Sequence, residues 1–213
     1  LERANFSPES TFAVPYGDDP ITAAATRRIQ EVFETDCEVF FVFNGSAANA
    51  LALASMCQPY HGIVAHPISH AEIDEANAPE FFTGGAKLLH LDGAQGKMNP
   101  RGMTNLLKRG HGIHSAKIRG VTITQATEVG TVYTLDELHE LTALKHEHAE
   151  LDLKFHMDGA RFANALVALG NVAPKELSWQ AGIDVLTFGG TKNGCPGTEA
   201  LVFFDRSLAR NFA

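Results

Sequence analysis

Two residues in this chain stand where predicted strands run into loops, and their side chains can act on the two ends of one ligand. Lys192, in Gly189-Gly190-Thr191-Lys192-Asn193-Gly194, carries a primary amine that condenses with a carbonyl. Asp158, in His156-Met157-Asp158-Gly159, carries a carboxylate suited to keeping a heterocyclic nitrogen protonated. Together they describe a site for an aldehyde cofactor used as an electron sink. A third feature, Asn44-Gly45-Ser46-Ala47-Ala48-Asn49, lies between a strand and a helix. Gly45 permits close backbone approach, and the Ser46 hydroxyl with the first free N–H groups of the helix suits a phosphate.

Each feature has a plainer alternative. Asp158 before Gly159 caps the following helix, Lys192 is a solvated loop lysine, and Gly45-Ser46 is an ordinary helix start. Arg161, three residues after Asp158, either makes a surface ion pair or reaches a ligand. His70, in Ser69-His70-Ala71-Glu72, is as an isolated histidine more often structural. The features gain weight jointly, because three separate strand ends fit one cofactor.

The elements that position them alternate between strand-like and helical patterns, the signature of an α/β domain with a mostly parallel sheet. Strands are expected at Glu38 to Asn44, Gly62 to Ala65, Lys87 to Leu91, Gly120 to Gln125, Leu153 to Met157, Asp184 to Phe188 and Ala200 to Phe204. Helices are expected at Ile21 to Thr35, Ser46 to Cys57, Met103 to Arg109, Thr134 to Glu150 and Ala160 to Leu169, with a short one from Pro174. Thr134-Leu135-Asp136-Glu137 reads as a capping box. In a parallel sheet the carboxyl ends of the strands share one edge, where ligand sites open. Between Asp158 and Lys192 lie a helix, a turn and a strand, the content of one crossover unit.

The 213 residues are 45% hydrophobic and 20% charged, with a net charge of −8 and no basic stripe, which argues against a nucleic-acid partner. No apolar run is long enough for a membrane span. Cys37, Cys57 and Cys195 lack metal or disulfide spacing, so a reducing, cytoplasmic setting is expected and a structural zinc site is not. His111 with His114, or His146 with His148, are the nearest approach to a metal pair, in polar surroundings with no further ligand in view. The first five residues read as the tail of a helix and Arg206 to Ala213 as the start of one, so a piece of a larger protein is expected.

Phe155-His156-Met157-Asp158-Gly159-Ala160-Arg161-Phe162, followed by Phe188-Gly189-Gly190-Thr191-Lys192-Asn193-Gly194, resembles the low-specificity L-threonine aldolases. These stand in the β-eliminating lyase group of fold-type I pyridoxal-phosphate enzymes. Tyr16-Gly17-Asp18-Asp19-Pro20, Phe43 to Asn49, Thr122 to Glu128 and His70 with its acidic neighbours extend the resemblance over essentially the whole chain. The resemblance implies a three-layer α/β/α large domain over residues 1–213. It also implies a serine-bearing segment before residue 1 and a small C-terminal domain beyond residue 213.

The cofactor implied is pyridoxal 5′-phosphate. Lys192 binds it covalently, Asp158 pairs with the pyridinium, and Gly45 and Ser46 hold the phosphate with help from Thr191. Arg161 serves the cofactor oxygen and the substrate carboxylate, and His70 stacks on the ring and is the best candidate base. Tyr16 belongs to a loop that completes the site at a subunit interface. Where some aldolases carry a second active-site histidine, this chain has Thr127. The implied reaction cleaves L-threonine or L-allo-threonine to glycine and acetaldehyde, in a homodimer or tetramer with no metal. The alternatives are β-elimination or phenylserine cleavage on the same scaffold and, more remotely, a non-catalytic oligomerisation domain.

Overall fold

The structure is a computed structural model that describes residues 14–109, 112–170 and 172–212. The expectations for the first five residues and for His111 lie outside these residues. The first helix, α1 (Pro20–Phe33), starts where Asp19 accepts hydrogen bonds from the Ile21 and Thr22 N–H groups and Pro20 occupies the first turn. It stops at Glu34, in the left-handed region, and delivers Phe33 to the core.

The strands are β1 (Glu38–Val42), β2 (His61–Ala65), β3 (Lys87–His90), β4 (Lys117–Thr124), β5 (Lys154–Gly159), β6 (Val185–Gly189) and β7 (Glu199–Phe203). They form one seven-stranded sheet in the order β1-β7-β6-β5-β4-β2-β3. β2 to β6 run parallel, β7 is antiparallel to β6, and β1 is antiparallel to β7. Two reversals return β1 to the direction of the parallel set. Its carboxyl end, the ends of β5 and β6 and the start of β7 therefore share one edge. The mostly parallel sheet expected from the alternation is present, with β7 as the reversed strand.

The remaining helices are α2 (Gly45–Met56), α3 (His70–Ile73), α4 (Ala78–Phe82), α5 (Pro100–Arg109), α6 (Leu135–Thr142), α7 (Leu144–Glu147) and α8 (Phe162–Leu169). One core joins Phe33 with residues of α5, α6, α7 and α8 against Val121, Ile123, Phe155, Met157 and Leu186 of the sheet. The other packs Ala48, Ala52, Leu53 and Met56 of α2 against Ile63, Val185, Leu201 and Phe203. Helices on both sides of the sheet give the three-layer arrangement.

Three expected helices take a different form. The capping box of Thr134 and Glu137 is made, but the run to Glu150 divides into α6, α7 and a 3-10 turn (Ala149–Leu151). There the segment before β6 competes for the helix. Gly182 packs against Thr142, and the Lys145 ammonium donates to the Gly182 carbonyl and to the Asp184 carboxylate (2.6 Å). From Pro174 the chain makes turns and a 3-10 turn (Trp179–Ala181) instead of an α-helix. The expected helix start at Arg206 is a 3-10 turn (Arg206–Ala209). α3 and α4, both short, carry too few residues to show a helical period.

Candidate functional site

α2 begins where Asn44, in an extended conformation, caps it. The Asn44 side chain accepts from the Ala47 N–H (2.8 Å) and its carbonyl from the Ala48 N–H (3.1 Å). The N–H groups of Gly45 and Ser46 precede any carbonyl of the helix that could receive them. Both residues line a cavity of about 220 Å³ on the shared sheet edge, and a Cβ at Gly45 would meet nothing within 4 Å. Small residues bring α2 close to the sheet, with Ala48 and Ala52 fully buried. Asn49 on the same helix then reaches β5, where its amide donates to Asp158 Oδ2 (3.0 Å).

Asp158 is buried at the end of β5 and faces the cavity. Its Oδ1 also accepts from the Ala160 N–H (3.0 Å), so the turn-capping alternative describes half of what the side chain does. Two residues earlier on the same strand face, His156 is fully buried. Its ring lies between the hydroxyls of Thr122 (Nδ1, 2.9 Å) and Thr187 (Nε2, 3.0 Å). Burial pushes its pKa down to about 4, although Asp158 pulls it the other way.

Lys192 sits in a 3-10 turn (Thr191–Asn193) after β6 and is exposed along one side of the cavity. The glycines before it have a steric cause. A Cβ at Gly189 would stand 2.7 Å from the Ala160 Cα and 2.9 Å from Glu199 Oε2. Thr191 ties the loop to β7 by accepting from the Thr198 N–H (3.1 Å).

His70 opens α3 at the cavity wall, with Nδ1 2.8 Å from Glu75 Oε1. That hydrogen bond raises the His70 pKa, burial and Lys192 oppose it, and the Glu75 and Asp158 charges reinforce it. Gly45, Ser46, His70, Asp158, Thr191 and Lys192, expected from the sequence, thus line one cavity. Arg161 and Tyr16 are not among its lining residues. Arg161 is paired with Glu128 (3.1 Å) beside the wall residue Ala160, and Tyr16 is almost fully exposed.

Asn49, Glu75, His156 and Glu199 were not singled out from sequence. Asn49 had a legible signal, since it shares a helix face with Leu53 and Met56 and so points a polar amide at the sheet. Glu199, at the start of β7, is buried in the cavity wall, and its Oε2 lacks a hydrogen-bond partner among the described residues. Burial also pushes the Cys37 and Cys57 thiols up, to about 11 and about 12, while Cys195 is exposed. Among the described residues, no helix is long and apolar enough to cross a membrane, and no group of three or more His, Cys, Asp or Glu is placed to hold a metal ion.

The sequence matches the family model described as beta-eliminating lyase over residues 13–212. It is 51% identical over 212 residues to a low-specificity L-threonine aldolase of a Pseudomonas species, covering 100% of this chain and 59% of that protein. It is 53% identical over 197 residues to the Pseudomonas aeruginosa protein of the same name, covering 92% of this chain and 56% of that one. The chain thus spans somewhat over half the length of these curated relatives. A solved Leishmania major threonine aldolase superposes with a TM-score of 0.89 at 29% identity, over 99% of this chain and 59% of that one. The sheet and its helix layers are those of the fold-type I pyridoxal-phosphate enzymes. The chain belongs to the beta-eliminating lyase family, whose members depend on pyridoxal phosphate.

Proposed function

We propose that this chain is the cofactor-binding part of an enzyme that cleaves L-threonine or L-allo-threonine to glycine and acetaldehyde. The observation that carries this reading is the convergence of Lys192, Asp158, His70 and the α2 N-terminus on one cavity. The chemistry of the donor set fits pyridoxal phosphate. The Gly45 and Ser46 N–H groups and the Ser46 hydroxyl offer donors to a dianion, Asp158 offers an acceptor to a ring N–H, and Lys192 offers an amine to an aldehyde. Bound there, the cofactor supplies an electron sink for the pair released when the Cα–Cβ bond breaks.

The protein's own residues have distinct tasks. Lys192 would hold the cofactor through its amine, at the carbonyl carbon that the substrate amine must also reach. Asp158, fixed by two hydrogen bonds, keeps the ring nitrogen protonated. His70 takes the proton from the substrate β-hydroxyl and must be neutral to do so. Arg161, next in the chain to the cavity wall, supplies positive charge for the substrate carboxylate once it exchanges Glu128 for that ligand. Tyr16, fully exposed on one copy, contributes to the site of a neighbouring copy in a homodimer or a tetramer.

The test uses the full-length protein. A visible absorbance band removed by borohydride and missing in Lys192→Ala supports the cofactor link, and a band that persists in the variant overturns it. Glycine and acetaldehyde in equal amounts from threonine support the aldolase reading. Production of 2-oxobutyrate and ammonia would replace it with elimination.

A further inference from the structure

The residue that orders this site from behind is Glu75. Its side chain is fully buried, yet it belongs to neither the core clusters nor the cavity lining. Its Oε1 receives two hydrogen bonds, from the Asn49 amide (2.7 Å) and from His70 Nδ1 (2.8 Å), and its Oε2 has no partner among the described residues. Removing a carboxylate from water costs several kcal/mol unless charge and hydrogen bonds compensate. Asn49 is neutral, so among these contacts the compensating charge comes from His70. The backbone supports the placement. Ala76 and Asn77, immediately after Glu75, both adopt left-handed conformations (φ 48° and 61°), and for an alanine this is unfavourable by roughly 1 kcal/mol. The chain holds a strained turn that keeps Glu75 pointing inward.

The Asn49 amide adds direction. It donates to Glu75 and to Asp158, so both of its N–H bonds are used, and its oxygen has no partner among the described residues. Flipping the amide would aim an oxygen at two carboxylates. The chain His70–Glu75–Asn49–Asp158 therefore has one consistent set of donors, and in it His70 Nδ1 is a donor. That leaves Nε2 as the unprotonated ring nitrogen of neutral His70.

Building on the aldolase reading, we propose that Glu75 is the positioning residue for His70: it fixes the Nδ1–H tautomer, presents Nε2 as the basic atom, and through Asn49 couples this setting to Asp158. The groups whose charges act on His70 are Glu75, which follows α3, Asp158 at the end of β5 and Lys192 after β6. Glu75 is the largest upward influence on its titration. Replacing Glu75 with glutamine keeps the acceptor oxygen and removes the charge.

The experiment is nitrogen-15 NMR of histidine-labelled full-length protein with bound cofactor, the His70 signals assigned by their loss in His70→Gln. In the unsubstituted protein neutral His70 is expected to carry its proton on Nδ1. In Glu75→Gln the titration midpoint of His70 falls, the acid limb of kcat/KM moves to lower pH with it, and kcat drops about 10- to 100-fold. A proton on Nε2 in the unsubstituted protein overturns the proposal, and this measurement does not require the variant to fold. An unmoved midpoint, or a lower rate with an unmoved acid limb, also overturns it. The tautomer and midpoint are read without reference to product, so a wrong substrate assignment leaves them interpretable.

Discussion

The two faces of the central sheet come from the same strands and have been put to different uses. On one face Val121, Ile123, Phe155, Met157 and Leu186 meet Phe33, Leu138, Leu141 and Phe162, hydrocarbon against hydrocarbon. On the other, the alternate residues Thr122, His156, Asp158 and Thr187 lie in a polar layer toward the carboxyl edge, with the alanines of α2 close by. The period of two along a strand makes this division possible, and a one-residue slip in register would exchange the faces. The larger of the two cores lies on the first face, and the second, beside its smaller core, carries buried polar groups whose hydrogen bonds are mutually required.

The comparison is broken first by removing a large group from the packing face. Phe155→Ala is expected to lower stability by about 3–5 kcal/mol, read from denaturant midpoints, while kcat per folded molecule stays unchanged. On the polar face the expected pattern is reversed. Asp158→Asn should lower kcat by about 10²- to 10³-fold in steady-state assays with little change in melting temperature.

The faces should also differ in pH response. The unfolded chain protonates a histidine near pH 6.5, whereas buried His156 resists protonation down to about pH 4. The unfolded state thus binds more protons in that window, so stability is intact above it and declines as pH falls through it, by about 3 kcal/mol. Denaturation curves from pH 7 to 4 should show this decline, and His156→Asn should flatten it. The smallest effect is expected at the α2 start. Ser46→Ala removes one hydroxyl donor while the backbone N–H groups remain, so cofactor should bind about 5- to 10-fold more weakly in an equilibrium titration.

Much of the packing face was legible in the sequence, because apolar alternation and buried strand composition report local backbone state. Lys192, Asp158 and Ser46 were legible for a related reason, since each lies at or just after a strand end and that edge is where an α/β sheet opens. What escaped was convergence. Glu75 and Asn49 come from separate elements, and only the folded chain places both on one hydrogen-bond path to Asp158. Glu199 depended on β7 reversing direction, which puts the start of that strand on the edge where the others end. The single helix expected over Thr134 to Glu150 failed because its periodicity is local, whereas the contacts that divide it come from Gly182 and Asp184.

The most direct test of the central claim is to reduce the full-length, cofactor-loaded protein with borohydride, digest it and map the modified lysine by mass spectrometry. The geometry of the cavity predicts a pyridoxyl group on Lys192 and on no other lysine. A modification mapped to a different lysine, or none at all in protein that binds the cofactor, would contradict it.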